Sequence, residues 1–460
     1  MQADALKMIL ALARAGATSR AWDRFVAAGF DRDESDFQAL TLKGRLLKDR
    51  ARQETADTRS SLFAQAGEAY ERAAVFGTAS YPLVNAAAMA LHAGDRAKVG
   101  QLAGKVLHLI ESGAEPGETP YWGEATRAEA MLLLGRFGDA RASLAEAVRL
   151  APQAWEDHAA TLRQFALILS EFGEDESWLD SFRPPSAMHF NGILGVAADD
   201  SAAREAIDKA VKAIAPGFAY GALAGGADIL AAEAAVSVGA ELHIVLPSES
   251  DDFRQSSVEP LGADWSQRFD ALLDVADSIT ICASDDTTSA AGVTLAELHA
   301  MGLAVEQAAQ LQAKAVALRI EPADRPALGD PWLHSGRPIF HVPVTADPDN
   351  CVAQLPAGSL KFDVALDSSA PQSFDVLDDA VQAILASGSG QAAIDCRTGD
   401  VIHVPALLPH SAHGMVAASR SAALALLASG LASRIETIGE MAFPDGPTEL
   451  CLAALVRPPG

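Results

Sequence analysis

Residues 221–234 read GALAGGADILAAEA. Two adjacent glycines, Gly225 and Gly226, stand between an apolar run (residues 218–223, FAYGAL) and an alanine-rich helical stretch. Glycine accepts positive φ and lets a ligand approach bare backbone. The first amides of a helix have no partner within it and lie at the positive end of its dipole. A glycine turn at that point can therefore cradle a phosphate. Asp228 follows at once, placed either to cap the helix or to accept a hydrogen bond from a ribose hydroxyl.

Few other residues have spacings suited to chemistry. His403, His410 and His413 gather in VIHVPALLPHSAH, but no acidic or cysteine partner lies at ligand spacing, so a hydrogen-bonded loop is expected rather than a metal site. Cys282, Cys351, Cys396 and Cys451 are far apart and form no CxxC pair, which argues against zinc and for free thiols in a reducing compartment. The chain shows no GxSxG or HExxH motif, and GALAGG lacks the full Walker A and GxGxxG patterns. No tightly bound cofactor is expected.

These residues sit in an acidic chain. Its 460 residues are 49% hydrophobic and 21% charged, with 35 Lys+Arg against 61 Asp+Glu and a net charge of −26. Duplex nucleic acid and anionic membrane surfaces would repel it. No apolar run reaches the ~18 residues a membrane span needs. The opening MQADALKMILALARAG is apolar on one helical face and has no basic leader, so a cytoplasmic protein is expected.

Residues 1–182 alternate helical periods with short breaks. In residues 128–152, AEAMLLLGRFGDARASLAEAVRLAP, two helices meet at a glycine-containing turn and Pro152 ends the unit. Residues 85–109 repeat the pattern, and residues 62–77 repeat it in part. The stretch resembles tetratricopeptide repeats, with small residues (Ala97, Ala140, Ala147) where helices approach. The alternative is an ordinary helical bundle. The resemblance implies a concave face that binds a protein partner. Trp22, Tyr70, Tyr81, Tyr121 and Trp122 either line that face or fill the core. Pro184 and Pro185 then break the helical pattern.

Residues 188–322 alternate strands (190–196, 218–223, 241–247, 278–284, 314–320) with helices (201–214, 227–239, 268–276, 294–312). Near-continuous apolar strands separated by helices predict a doubly wound parallel sheet. Ligands of such sheets sit beyond the strand carboxyl ends. That places Gly225, Gly226 and Asp228 with Ser248, Ser284 and Thr294 at one edge. GALAGGADILAAEAAVSVGAELHIVLP, then SITICAS and AAGVTLAEL, resembles the SLOG superfamily, Rossmann-like domains related to DNA-processing protein A and the Lonely Guy enzymes. The resemblance implies a nucleotide-derived ligand framed by Gly225, Gly226, Gly292, Thr294 and Glu297. SAAGVTLAE lacks the paired glycines of the enzymes' PGGxGTxxE motif, so binding rather than hydrolysis is implied. Thr294 and Glu297 also read as N-cap and N3 of a capping box.

Residues 323–358, rich in proline and glycine, read as a linker. Residues 359–460 read as β-α-β-α-β-β, with strands at 359–366, 391–396, 433–441 and 448–456 and helices at 375–387 and about 416–429. QAAIDCRTGDVIH, AASRSAALALLAS and RIETIGEMAFPDGPTELCLAAL resemble class III adenylate/guanylate cyclase domains. That resemblance implies a metal aspartate at Asp363 and a transition-state arginine at Arg420, while the second metal aspartate and the asparagine have no match. An unrelated small α+β domain is the alternative. The whole is a multi-domain α and α/β protein: helical repeats, a doubly wound Rossmann-like sheet and a degenerate cyclase-like module. The expected function is a signalling sensor or scaffold, homo-oligomeric, with a protein partner and a nucleotide-like small molecule. The alternative is an enzyme: a nucleoside phosphate hydrolase, or a cyclase completed by a partner.

Overall fold

A computed structural model describes residues 2–14, 17–77, 80–113, 119–282, 287–322, 331–345, 355–367, 369–388, 390–399, 401–412, 414–443 and 446–456. The chain divides into two compact units, Met1–Pro184 and Pro185–Gly460. Among the described residues no helix is long and apolar enough to cross a membrane.

The first unit is helical: α1 (Gln2–Arg14), α2 (Thr18–Ala27), α3 (Phe37–Ala51), α4 (Ala56–Phe76), α5 (Ser80–His92), α6 (Arg96–Glu111), α7 (Pro120–Leu133), α8 (Phe137–Leu150) and α9 (Trp155–Phe172). The helices pair as antiparallel hairpins, α3 with α4, α5 with α6 and α7 with α8. Two of these hairpins turn in the same way. Gly94 and Gly135 adopt φ of +87° and +73°, and the amides of Asp95 and Arg136 reach back to Ala90 O (2.8 Å) and Met131 O (2.9 Å). This is the glycine stop that satisfies the last carbonyls of a helix. Side-chain caps start the helices: Asp36 accepts from Ala39 N at 2.7 Å and Asp95 from Lys98 N at 3.0 Å. Tyr70 and Tyr121 are buried, Tyr81 is exposed, and Trp22 and Trp122 are partly buried.

The second unit opens with six parallel strands: β1 (Ser186–Gly192), β2 (Pro216–Gly221), β3 (Glu241–Leu246), β4 (Ser278–Ile281), β5 (Ala315–Glu321) and β6 (Ile339–Pro343). Their order is β4-β3-β2-β1-β5-β6, so the direction of winding reverses between β1 and β5. Between the strands run α10 (Ser201–Ile214), α11 (Ala227–Ser237), α12 (Ser250–Ser257), α13 (Ala263–Val275), α14 (Ala290–Leu311) and the short turn α15 (Pro331–His334). Helices α10, α11 and α13 pack on one another over one face, and α14 crosses β1, β2, β3 and β5 on the other. Covering both faces explains why β2 is buried along its whole length, whereas the edge strand β4 is largely exposed.

Three sequence expectations are corrected. The first strand lies at Ser186–Gly192, not 190–196, because the chain must turn where Gly192 meets α11: a Cβ on Gly192 would stand 2.4 Å from Ala227 Cβ. The segment expected as a linker contributes α15 and β6, with Trp332 fully buried and its Nε1 donating to Pro338 O at 3.3 Å. Residues 416–419 form a strand rather than the start of a helix, and Ser419 then caps the helix by accepting from Ala422 N.

The remaining elements are β7 (Lys361–Leu366), β8 (Gln372–Phe374), α16 (Leu377–Ser387), β9 (Ala392–Arg397), α17 (Val404–Leu407), β10 (Val416–Ser419), α18 (Arg420–Ala428), β11 (Ala432–Phe443) and β12 (Gly446–Leu455). They form a mixed sheet of order β11-β12-β10-β9-β7-β8, in which β9 and β10 are parallel. Helix α18 is buried from Ala422 to Ala428 because it lies between this sheet and α14. The crossing of α14 and α18 is close: a Cβ on Gly302 would stand 2.5 Å from Leu424 O. Arg420 of α18 forks onto Glu306 of α14 (Nη1–Oε1 3.0 Å, Nη2–Oε2 2.5 Å). Arg337 caps the other end of α18 by donating to Ala428 O and Leu427 O at 2.8 and 2.9 Å.

Gly302→Val should force α14 and α18 apart and destabilise the protein by about 1–3 kcal/mol, the usual cost of overpacking. Denaturant titration of the full chain measures this. An unchanged midpoint would show that the crossing is not a tight joint.

Candidate functional site at the carboxyl edge of the parallel sheet

The double glycine lies between β2 and α11, as its sequence context demands. Gly226 is the N-cap of α11 and has φ +119°, ψ −127°. Gly225 is not left-handed; it is small because Leu261 Cδ1 would stand 2.7 Å from a Cβ there. Two amides at this turn have backbone acceptors. Gly225 N donates to Ser257 O (2.9 Å) and Ala227 N to Ile193 O (3.2 Å), while Leu194 bridges to Gly226. A Cβ on Gly226 would lie 3.0 Å from Ile193 O. The loop that leaves β1 thus packs against the expected cradle.

Asp228 is neither the cap nor an open ribose ligand. It occupies the first turn of α11, only 6% exposed, and its Oδ1 accepts from Gly192 N at 2.7 Å. The side chain latches the end of β1 to the start of α11. Burial pushes its carboxyl up to about 8, and the nearby Glu297 charge adds to the rise, against the hydrogen bonds from the Gly192 and Ala224 backbone.

The start of α14 forms the other half of the edge. Ser289, not Thr294, is the N-cap, accepting from Gly292 N at 3.0 Å. Ala290 N donates to Pro356 O (3.1 Å), so the chain beyond the sheet supplies the next acceptor. Gly292 lies in the first turn, where a Cβ would meet Ser289 Oγ at 3.2 Å. Thr294 is exposed inside the helix and its Oγ1 donates to Ala290 O (3.1 Å), which corrects the capping box expected from Thr294 and Glu297. Glu297 is half-buried. Ser248 is fully buried, and its Oγ shares a hydrogen bond with Thr288 Oγ1 at 2.7 Å. Ser256 Oγ donates to the same Thr288 Oγ1 at 3.0 Å. Thr288 and Ser256 were not singled out from sequence, although RQSS and TTSA hold a concentration of hydroxyls. Ser284 lies outside the described residues.

The residues implied by the cyclase resemblance are engaged as well. Asp363 is fully buried, paired with the Arg397 guanidinium and accepting from Ser373 Oγ. It stands opposite Asp395 in the β7–β9 register, and Asp395 accepts from Cys396 N at 2.8 Å. Arg420 is held by Glu306 and lies 3.4 Å from Glu449. Of the loop histidines, His403 packs on Phe443 with ring centres 4.3 Å apart, and His413 lies outside the described residues. Among the described residues no three His, Cys, Asp or Glu side chains are placed to hold a metal ion. Cys282, Cys396 and Cys451 are free thiols, and Cys351 is outside the described residues.

Residues 5–90 match the family model described as Tetratricopeptide Repeats-Sensor, a stretch that covers most of α1 through most of α5. No curated protein matches the chain. The fold is therefore that of a multi-domain α and α/β protein: tetratricopeptide-like helical repeats, then a Rossmann-like parallel sheet and a small mixed sheet. The description of the matched model suggests a sensor or scaffold role, and repeats of this type commonly mediate protein interaction.

Two substitutions test the closed edge. Gly226→Val combines a strained φ with a clash against Ile193 O, so it should lower the denaturation midpoint; a variant as stable as the parent would contradict the packing described. Asp228→Asn keeps the acceptor for Gly192 N but cannot ionise. Because the folded carboxyl is raised to about 8 from the ordinary 3.8, the folded chain holds a proton that the unfolded chain has lost. Parent stability should fall as pH rises through that window, and Asp228→Asn should show a flatter pH dependence. Equal slopes in urea titrations across the window would rule this out.

Proposed function

We propose that this protein is a signalling scaffold whose helical repeats receive the signal or protein partner and whose two sheets form a rigid platform. The observation that carries this reading is the internal engagement of three charged groups that an enzymatic reading would use. Asp363 pairs with Arg397, Arg420 with Glu306, and Asp228 holds the Gly192 amide. A general acid or metal carboxylate must reach its substrate; these groups face protein. The SLOG and cyclase resemblances fit this reading as inherited frameworks put to structural use. The Ala227 amide of α11 is likewise engaged by the Ile193 carbonyl and the preceding Gly225 amide by Ser257, so a nucleotide at Gly225–Asp228 would meet residues 193–196.

Incubation of the full chain with magnesium and ATP, GTP, NAD or nucleoside monophosphates, followed by mass spectrometry, should return the nucleotides unchanged. Release of free base or formation of a cyclic nucleotide would overturn the scaffold reading in favour of the hydrolase or the cyclase.

A further inference from the structure

The repeat unit contains a polar cluster unlike the rest of its interior. Arg45, Lys48, Asp49 and Arg52 recur at i, i+3, i+4 and i+7 along α3, so they share one helical face. Glu129 of α7 and Arg163 of α9 lie within electrostatic reach of that face. Four cations thus surround two carboxylates, in a chain whose net charge is −26. All are only partly exposed. Helix α9 packs against α7, which places Arg163 and Glu129 on neighbouring helices.

The contacts within the cluster are loose. Arg45 Nε and Arg52 Nη1 each stand 3.7 Å from an Asp49 oxygen, beyond hydrogen-bond range. Arg45 Nε is buried with no hydrogen-bond partner among the described residues. Gln164 Nε2 donates to Glu129 Oε1 at 3.2 Å. Tyr70 reaches the same place from α4. Its ring lies flat on α3 where Gly44 leaves room, since a Cβ there would stand 2.7 Å from the ring. Tyr70 is 0% exposed and its hydroxyl has no hydrogen-bond partner among the described residues, with Tyr81, Asp49, Arg45 and Glu129 as its polar neighbours. Buried hydroxyls normally have partners, and an orphan hydroxyl beside Arg45 asks for an acceptor. Burial also lowers the Lys48 ammonium and raises the Glu129 carboxyl from their usual ranges, as expected for charges held without full solvation.

We propose that this cluster is a ligand site for a phosphate dianion, taking either free phosphate or the phosphate of a nucleoside monophosphate. The Arg45 and Arg52 guanidinium groups offer the fork that phosphate oxygens favour, Lys48 supplies a point charge, and the Tyr70 hydroxyl donates to a third oxygen. The site deepens the sensor reading, on which its physiological meaning rests.

Isothermal titration of the full chain at fixed ionic strength, with inorganic phosphate, AMP and adenosine, tests the proposal. Phosphate and AMP should each bind one per chain, and adenosine should not. Tighter binding of AMP than of phosphate would identify a nucleotide as the source, and equal binding free phosphate. Tyr70→Phe removes an unpartnered hydroxyl and should fold as the parent does, yet weaken binding about tenfold, the worth of a hydrogen bond to a charged group. Arg45→Gln should weaken binding at least as much, whereas Arg149→Gln, on the exposed face of α8, should leave it unchanged. Absence of binding by both anions at millimolar concentration, or undiminished affinity in Tyr70→Phe, overturns the proposal. Either failure leaves the scaffold reading standing, because that reading falls only on nucleotide turnover.

Discussion

A helix must find acceptors for its first amides, and in the C-terminal unit the chain finds them in itself. Ile193 and Ser257 carbonyls meet the start of α11, Ser289 and Pro356 meet α14, and Asp200 meets α10 through the amides of Ala202 and Ala203. A Rossmann-like sheet left with open helix starts would attract anions. Here part of each of the two starts where its glycines lie is engaged by the chain itself. The same closure locks the order of elements: the loop after β1 must lie over α11, and the segment after β6 must return to α14 before β7 begins.

That closure accounts for the fate of the charged residues. Arg420 and Glu306 join the two helices that carry the two sheets, and Gly302 permits their close approach. Asp363 and Arg397 stabilise the centre of the mixed sheet. Asp363 is fully buried, and breaking such a pair by removing its partner costs several kcal/mol. The N-terminal unit differs. Its α3 face carries four charged side chains that contact one another only loosely, beside a tyrosine hydroxyl without a partner.

Much of the architecture was legible from periodicity. The paired helices, the winding of the parallel sheet through five strands and the β11–β12 hairpin follow from apolar spacing and glycine turns. The sixth strand was hidden because Pro338 and Pro343 bracket it and read as loop; an edge strand tolerates prolines that a central one cannot. Sequence located Gly225, Gly226 and Asp228 at a helix start but could not show that residues 193–196 return to cover them. The capping box at Thr294 and Glu297 was misplaced because Ser289, five residues earlier, already holds the cap without a Glu or Gln at N3. The α3 charges were in plain view as KGRLLKDRAR. Helical periodicity assigns such residues to solvent, and only the packing of α3 on α4, with Glu129 of α7 and Arg163 of α9 in electrostatic reach, turns them into a cluster.

Hydrogen–deuterium exchange of the full chain with and without AMP compares the two candidate regions in one measurement. A closed sheet edge and a receptive repeat interior predict slower exchange in residues 37–52, 56–76 and 155–172, with no change in residues 221–230 and 288–300. Protection confined to the latter segments would contradict the account, since it would place the ligand where the chain engages its own helix starts.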